Sequence, residues 1–317
     1  MDRFAHQRGD EQLVVVRDPL GLAEPFALDA DLAPVLDLLD GTRTIPQIRQ
    51  SLLMTQNLRL EADTLGEFVD QLREQGLLDD EAFRERWAAT HSDFLEATIR
   101  DPTLAGLVYP ADPTALSGLL HEVLPASDAT PRTRTDSRVV GVLAPHGPLD
   151  RTGALLDETL QQLPPPESIE HVIILGTDHG PGLLPYALTD KPYATPAGTI
   201  PAADDLRSAL ERRVPWVLRE QVRHREAMSL ELAVIVLQHV YGSRCPPVLP
   251  VLCGSTALAD PAQQEDRERF ELALGGLCED RPVLWWVSAE LSHAGPAYGR
   301  PPLSAEHRFE LQERDAF

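Results

Sequence analysis

At 317 residues, 43% of them hydrophobic and 25% charged, the chain has material for one large domain or two, with ample core. Its formal charge of −22 repels nucleic-acid phosphates and anionic lipid, which excludes non-specific docking on either. Three cysteines without CxxC spacing, Cys245, Cys253 and Cys278, exclude a disulfide framework and a zinc ribbon and fit a reducing compartment.

The opening MDRFAHQRGDEQ has no apolar signal-peptide core, and no run approaches the roughly 18 apolar residues of a membrane span. A soluble cytoplasmic protein is expected. VVVRDPLGLAEPFALD follows as short β-type pieces broken by Pro and Gly. ADLAPVLDLLDG then places Leu32, Val35, Leu36 and Leu39 at helical spacing and stops at Gly41. Thr44, two residues before Pro46, starts a second helix, and LGEFVDQLREQGLL gathers Leu65, Phe68, Val69 and Leu72 on one side of a third. On DGTRTIPQIRQSL and FVDQLREQGLLD this order resembles the winged-helix, PqqD-like domains that bind leader peptides. The resemblance implies a peptide- or protein-docking module over residues 1–90. Acids outnumber bases about two to one there, the wrong field for DNA.

Residues 91–137 read as a helical connector followed by an opening segment, with ASDATPRTRTDSR (126–138) as a polar loop. From 138 to 317, strand-like runs alternate with helical ones: RTGALLDETLQQL, ADDLRSALERRV, AMSLELAVIVLQHV and DRERFELALGGL. Such alternation predicts an α/β fold, a mostly parallel sheet flanked by helices. The only lysine is Lys191.

Three of the strand-like runs end on a histidine: VVGVLAPH at His146, HVIILGTDH at His179 and PVLWWVSAELSH at His293. A fourth, PVLPVLCG, ends at Cys253 and Gly254. Ligands of open α/β sheets bind beyond the carboxyl ends of the strands, so three imidazoles delivered there can meet at one metal ion. Asp178 stands either as a carboxylate orienting an imidazole or as the cap of an Asx-turn with His179 exposed. Glu290 and His293, at i and i+3, share a face if the chain turns helical there. Trp285 and Trp286 read as core. His224, Met228 and Glu231 in RHREAMSLELAV fall on one helical stripe. If the stripe faces the crevice, His224 or Glu231 is an acid–base group; if it faces solvent, Arg223, Arg225 and Glu226 form a charged surface.

In chain order, LAGLVYPADPTALSGLLHEVL (104–124), LAPHG, IILGTDHG, YATPAG (193–198), SLE (229–231), VLPVLCG and VSAELSHAGPAYG resemble the Memo family, also called AmmeMemoRadiSam system protein B. That family is similar in fold to class III non-haem iron extradiol dioxygenases. The resemblance implies metal ligation by His146, His179 and His293, with iron or copper as the ion; imidazole also suits zinc. The chain departs from the family at three places. Met228 stands where the family has a histidine that serves as base, leaving His224 as the nearby substitute. Glu290 stands where the family has an aspartate. The chain ends at Phe317 where family members continue past a cysteine near the pocket, so the sheet is expected to be incomplete. Either the protein is truncated or a partner chain completes the fold, and an unpaired sheet edge left behind would suit docking.

Three functions follow from these readings. One is an extradiol-dioxygenase-type oxidoreductase with His224 and Glu231 as acid–base groups and His146, His179, His293 and Glu290 around the metal. A second is a non-catalytic metal carrier or adaptor whose N-terminal module recruits a peptide or a radical-SAM enzyme. The third is a scaffold that has lost its metal.

Overall fold

The computed structural model describes residues 2–8, 11–18, 22–23, 25–125, 139–180, 182–254, 261–290, 294 and 302–315. The chain divides into two compact units, Met1–Ser92 with Ser292–Phe317, and Asp93–Leu291.

In the first unit, β1 (Asp2–Arg8), β2 (Glu11–Arg17) and β3 (Phe26–Asp29) form an antiparallel sheet in that order. Helices α1 (Ala33–Leu38), α2 (Ile45–Gln56) and α3 (Ala62–Glu74) follow. Pro46 occupies the first turn of α2, where no N–H is missed, and the Gln47 side chain accepts the Thr44 N–H at 2.8 Å. Asn57 ends that helix in the left-handed region at φ 52°, a conformation asparagine tolerates. The predicted apolar stripes close the core: Val16, Leu28, Leu36 and Leu72 are buried together, with Val35, Ile48, Leu52 and Leu65 as a companion cluster. Helix α4 (Glu81–Glu96) leads into the second unit.

In the second unit, Asp112 caps α5 (Pro113–Val123) by accepting the Ala115 N–H at 2.8 Å. The chain continues through β4 (Gly141–Pro145), α6 (Leu149–Leu160), β5 (His171–Asp178), β6 (Tyr186–Ala187), and the small β7–β8 hairpin (Ala194–Thr195, Gly198–Thr199). Then come α7 (Asp204–Arg213), α8 (Met228–Tyr241), β9 (Val248–Gly254), α9 (Gln264–Cys278) and β10 (Val283–Ala289). Helix α10 (Ala305–Asp315) falls in the first unit. The sheet order is β4-β10-β5-β9-β6, parallel throughout except for β6. This is the mostly parallel α/β fold that the alternation of strands and helices predicts.

Strand β5 is apolar on both faces because helices cover both. Val172 and Ile174 point into one core with Leu120, Leu156, Val234 and Trp286, while Ile173 points into the other with Leu206, Leu249, Phe270 and Leu274. Trp286 is buried and Trp285 packs against the second core, so both tryptophans are packing residues as read. The sole lysine is buried too: Lys191 Nζ donates to the Leu95 carbonyl at 3.2 Å and to Asp190 at 3.1 Å, and lies 5.3 Å from the centre of the Phe94 ring.

The first turn of α8 is seated directly on the sheet. Ser229 Oγ donates to the Thr177 carbonyl at 2.7 Å, and Ser288 Oγ donates to the Ser229 carbonyl at 2.6 Å. Gly176 permits this approach, since a Cβ there would stand 2.6 Å from both Leu230 Cδ2 and Ser229 Oγ. Gly176→Ala is therefore an overpacking substitution. It is expected to cost about 1–3 kcal/mol and to lower the melting temperature by about 3–10 °C, measured by calorimetry; an unchanged melting temperature would show that the helix can retreat from the sheet freely.

Candidate metal centre

Parallel strands joined by crossovers deliver their carboxyl ends to one edge, and three adjacent strands here each deliver a residue of a type that can ligate a metal. His146 is the first residue past β4, Glu290 the first past β10, and His179 the first past β5. Strand β10 lies between the other two, and Ala289 is in register with Pro145, so Glu290 comes level with His146. The Nε2 atoms of His146 and His179 are 3.1 Å apart, and His146 Nε2 is 3.5 Å from Glu290 Oε1. One donor atom from each lies within 4.8 Å of the others. Metal–ligand bonds of about 2 Å put two ligands of one ion at most about 4 Å apart, and both of these pair distances fall within that limit.

The three positions differ in exposure. His146 is 4% exposed, whereas His179 and Glu290 face solvent. His293, the third histidine expected from the sequence, lies outside the described residues, as does the 126–138 loop. Asp178 takes the Asx-turn: its Oδ1 accepts the Gly180 N–H at 2.8 Å across His179. Its other oxygen is bound by Arg223.

The His224–Met228–Glu231 stripe needs correction. Residues Gln221–Glu226 form a 3-10 turn, and α8 begins only at Met228, so the three are not on one helix face. His224 is completely buried, with Nε2 2.9 Å from the Ala187 carbonyl and Nδ1 2.8 Å from the Tyr193 hydroxyl. A carbonyl only accepts, so Nε2 carries the proton and Nδ1 accepts from Tyr193. Neither nitrogen is left for a substrate. Glu231, also fully buried, accepts from Arg100, from the Tyr109 hydroxyl and from the Leu104 N–H at 3.0 Å. Both residues sequence reasoning proposed as acid–base groups are thus held in a closed network. Met228 packs against the core.

The solvent-facing alternative, with Arg223 in a charged surface, does not hold for that residue: its side chain is 6% exposed and pairs with Asp178 and Glu220. Arg100 and Tyr109, which complete the Glu231 network, were not read as site residues at all. Tyr109 sits in the quoted YPAD pattern; Arg100 carries no local signal. Burial pushes the Cys253 thiol, at the end of β9, up to about 12, with Asp178 nearby adding to the shift and Arg223 opposing it. Among the described residues one other group brings metal-ligating atoms together: Glu170, His171 and Asp205 at the amino end of β5. Arg281 already donates to Asp205 at 2.6 Å and to Glu170 at 3.3 Å, supplying the positive charge an ion would bring.

Residues 100–316 match the family model described as Memo-like protein. The chain is similar to a MEMO1 family protein of Aquifex aeolicus, 23% identical over 303 residues, covering 95% of this chain and 76% of that one. A MEMO1 family protein of Thermus thermophilus is 30% identical over 282 residues, 86% of this chain and 78% of the relative. A third, from Methanopyrus kandleri, is 30% identical over 193 residues, 55% and 66% of the two chains. At 95% coverage, the Aquifex match takes in most of the N-terminal unit as well as the residues of the family model. No helix among the described residues is long and apolar enough to cross a membrane.

Burial holds the His224 imidazole well below its ordinary 6.5, at about 3, with Arg100 and Arg223 nearby adding to the effect and the Ala187 hydrogen bond opposing it. The unfolded chain therefore binds a proton at higher pH than the folded one. The stability this contributes is complete above about 6.5 and is lost as pH falls toward about 3, by up to about 1.4 kcal/mol per pH unit. His224→Gln is expected to flatten the acid limb of stability between pH 6.5 and 4 in urea melts; an unaltered slope would place the titration on other groups.

Proposed function

Since this chain belongs to the Memo-like protein family, we propose that its α/β unit binds one redox-capable ion, iron or copper, through His146, His179 and Glu290. The observation that carries this reading is the convergence of the three donors past three adjacent parallel strands, within 4.8 Å of one another. Two histidines and one carboxylate form the donor set that leaves coordination positions open on non-haem iron. The sequence reading adds His293 to the set. A bound ion would supply Lewis-acid and one-electron chemistry at this edge. The protein's own part is to keep His146 buried and to present His179 and Glu290 from the solvent side.

Within this reading, metal binding or transfer is favoured over extradiol-type oxygenation. A dioxygenase of that kind needs a base to take the substrate proton, and the nitrogens of His224 are engaged by Ala187 and Tyr193. The N-terminal unit is proposed as a docking module for a peptide or a radical-SAM partner. Its support is a sheet in which β1 and β3 each pair on one side only among the described residues, as strand-adding peptide sites do. For a chain that would extend the larger sheet, β4 is an edge strand among the described residues, with Leu143 55% exposed and Val140, just before the strand, 57% exposed.

Metal content of protein purified without chelators or a histidine tag tests the central reading. The expected result is near-stoichiometric iron or copper, absent from a His146→Ala/His179→Ala variant and weakened by Glu290→Gln. No bound metal, and no uptake after anaerobic reconstitution with Fe(II) or Cu(I), would leave a scaffold.

A further inference from the structure

We infer that Arg223 is a positioning residue for the metal centre, fastening the loop that carries His179; the inference rests on the reading of His179 as a ligand. An exposed imidazole is not oriented by packing, so the place of His179 depends on the backbone turn beneath it. That turn is the Asx-turn in which Asp178 Oδ1 takes the Gly180 N–H at 2.8 Å, and the opposite oxygen of the same carboxylate is bound by Arg223. The far end of the loop is tied to the same guanidinium. Arg223 donates to the Leu184 carbonyl at 3.2 Å and pairs with Glu220, whose oxygens accept the N–H groups of Leu183 and Leu184 at 3.0 and 3.1 Å. Both ends of the His179 loop therefore converge on one buried cation.

The socket for that cation is made by two glycines. A Cβ at Gly182 would stand 2.2 Å from Arg223 Cζ, and one at Gly254 would stand 2.8 Å from Nη2. The guanidinium thus sits against Gly182, past the end of β5, and Gly254 at the end of β9, while among the described residues the proposed ligands stand past the ends of β4, β10 and β5. A lysine keeps the charge but lacks the planar fork that reaches two carboxylates and a carbonyl together. Groups behind a ligand, when removed, cost metal affinity about 10–100-fold.

The test uses the full chain and Cu(II). Dissociation constants come from competition with a chromophoric chelator, coordinating nitrogens from electron paramagnetic resonance, and folding from circular dichroism. Arg223→Met and Arg223→Lys are each made in wild-type and His179→Ala backgrounds. Expected is a loss of about 10–100-fold in affinity for Arg223→Met, with the coupling from one imidazole gone, and a smaller loss for Arg223→Lys. In the His179→Ala background neither substitution should weaken binding further. A merely structural arginine would weaken binding equally in both backgrounds, and that result overturns the inference. So does a folded Arg223→Lys protein with wild-type affinity and spectrum, a reading that stands even if Arg223→Met does not fold. Wild-type protein that takes up no Cu(II) removes the metal-centre reading and the inference together.

Discussion

A carboxylate without solvent is the constraint on which the larger unit depends. Glu231 lies in the first turn of α8 with no exposure, and a charge so placed is tolerated only with a counter-charge and a full set of donors. Arg100 supplies the charge, and Tyr109, Thr103 and the Leu104 N–H supply the remaining bonds. Residues 100–109 are thereby tied to α8, whose same turn rests on β5 and β10 through Ser229 and Ser288. Removing one partner of such a pair typically costs about 3–5 kcal/mol, because the other is left charged and buried. The strand ends that carry His179 and Glu290 are thus braced from beneath by an ion pair far from either in sequence.

That brace also explains which parts of the structure the sequence revealed. Strands and helices of the α/β unit were legible because each is a local run whose period matches its element, and His146 and His179 were legible because a strand end in a parallel sheet has a fixed destination. Glu290 was found through a helical i,i+3 relation to His293, whereas in the structure it stands directly past a strand. The stretch RHREAMSLELAV satisfies helical spacing throughout, yet α8 starts only at Met228. Arg100 binds the carbonyls of His224 and Arg225 at 2.9 and 2.8 Å. Those are the acceptors that a continuing helix would offer to Met228 and Ser229. A residue more than 120 positions away decided the local conformation, and no window of sequence contains it.

The two ends of the sheet handle their acidic groups differently. At the amino end of β5, Glu170 and Asp205 share Arg281. At the carboxyl end, Arg223 is taken up by Asp178 and Glu220, and Glu290 faces His146. A guanidinium therefore neutralises one cluster, while the other consists of two imidazoles and a carboxylate, the donor set proposed above to hold an ion. The same residue types carry different chemistry at the two ends because of where the arginines stand.

The burial of Lys191 bears on how this chain can be tagged. Its ammonium is spent on the Leu95 carbonyl and Asp190 and is 5% exposed, and the rest of the basic complement is arginine. Acetylation, isopeptide attachment and amine-directed cross-linking consequently find no lysine side chain on the surface of the folded protein. Modification at Lys191 would report loss of its bonds to the Leu95 carbonyl and Asp190, so that single lysine is a built-in probe of whether the unit is intact.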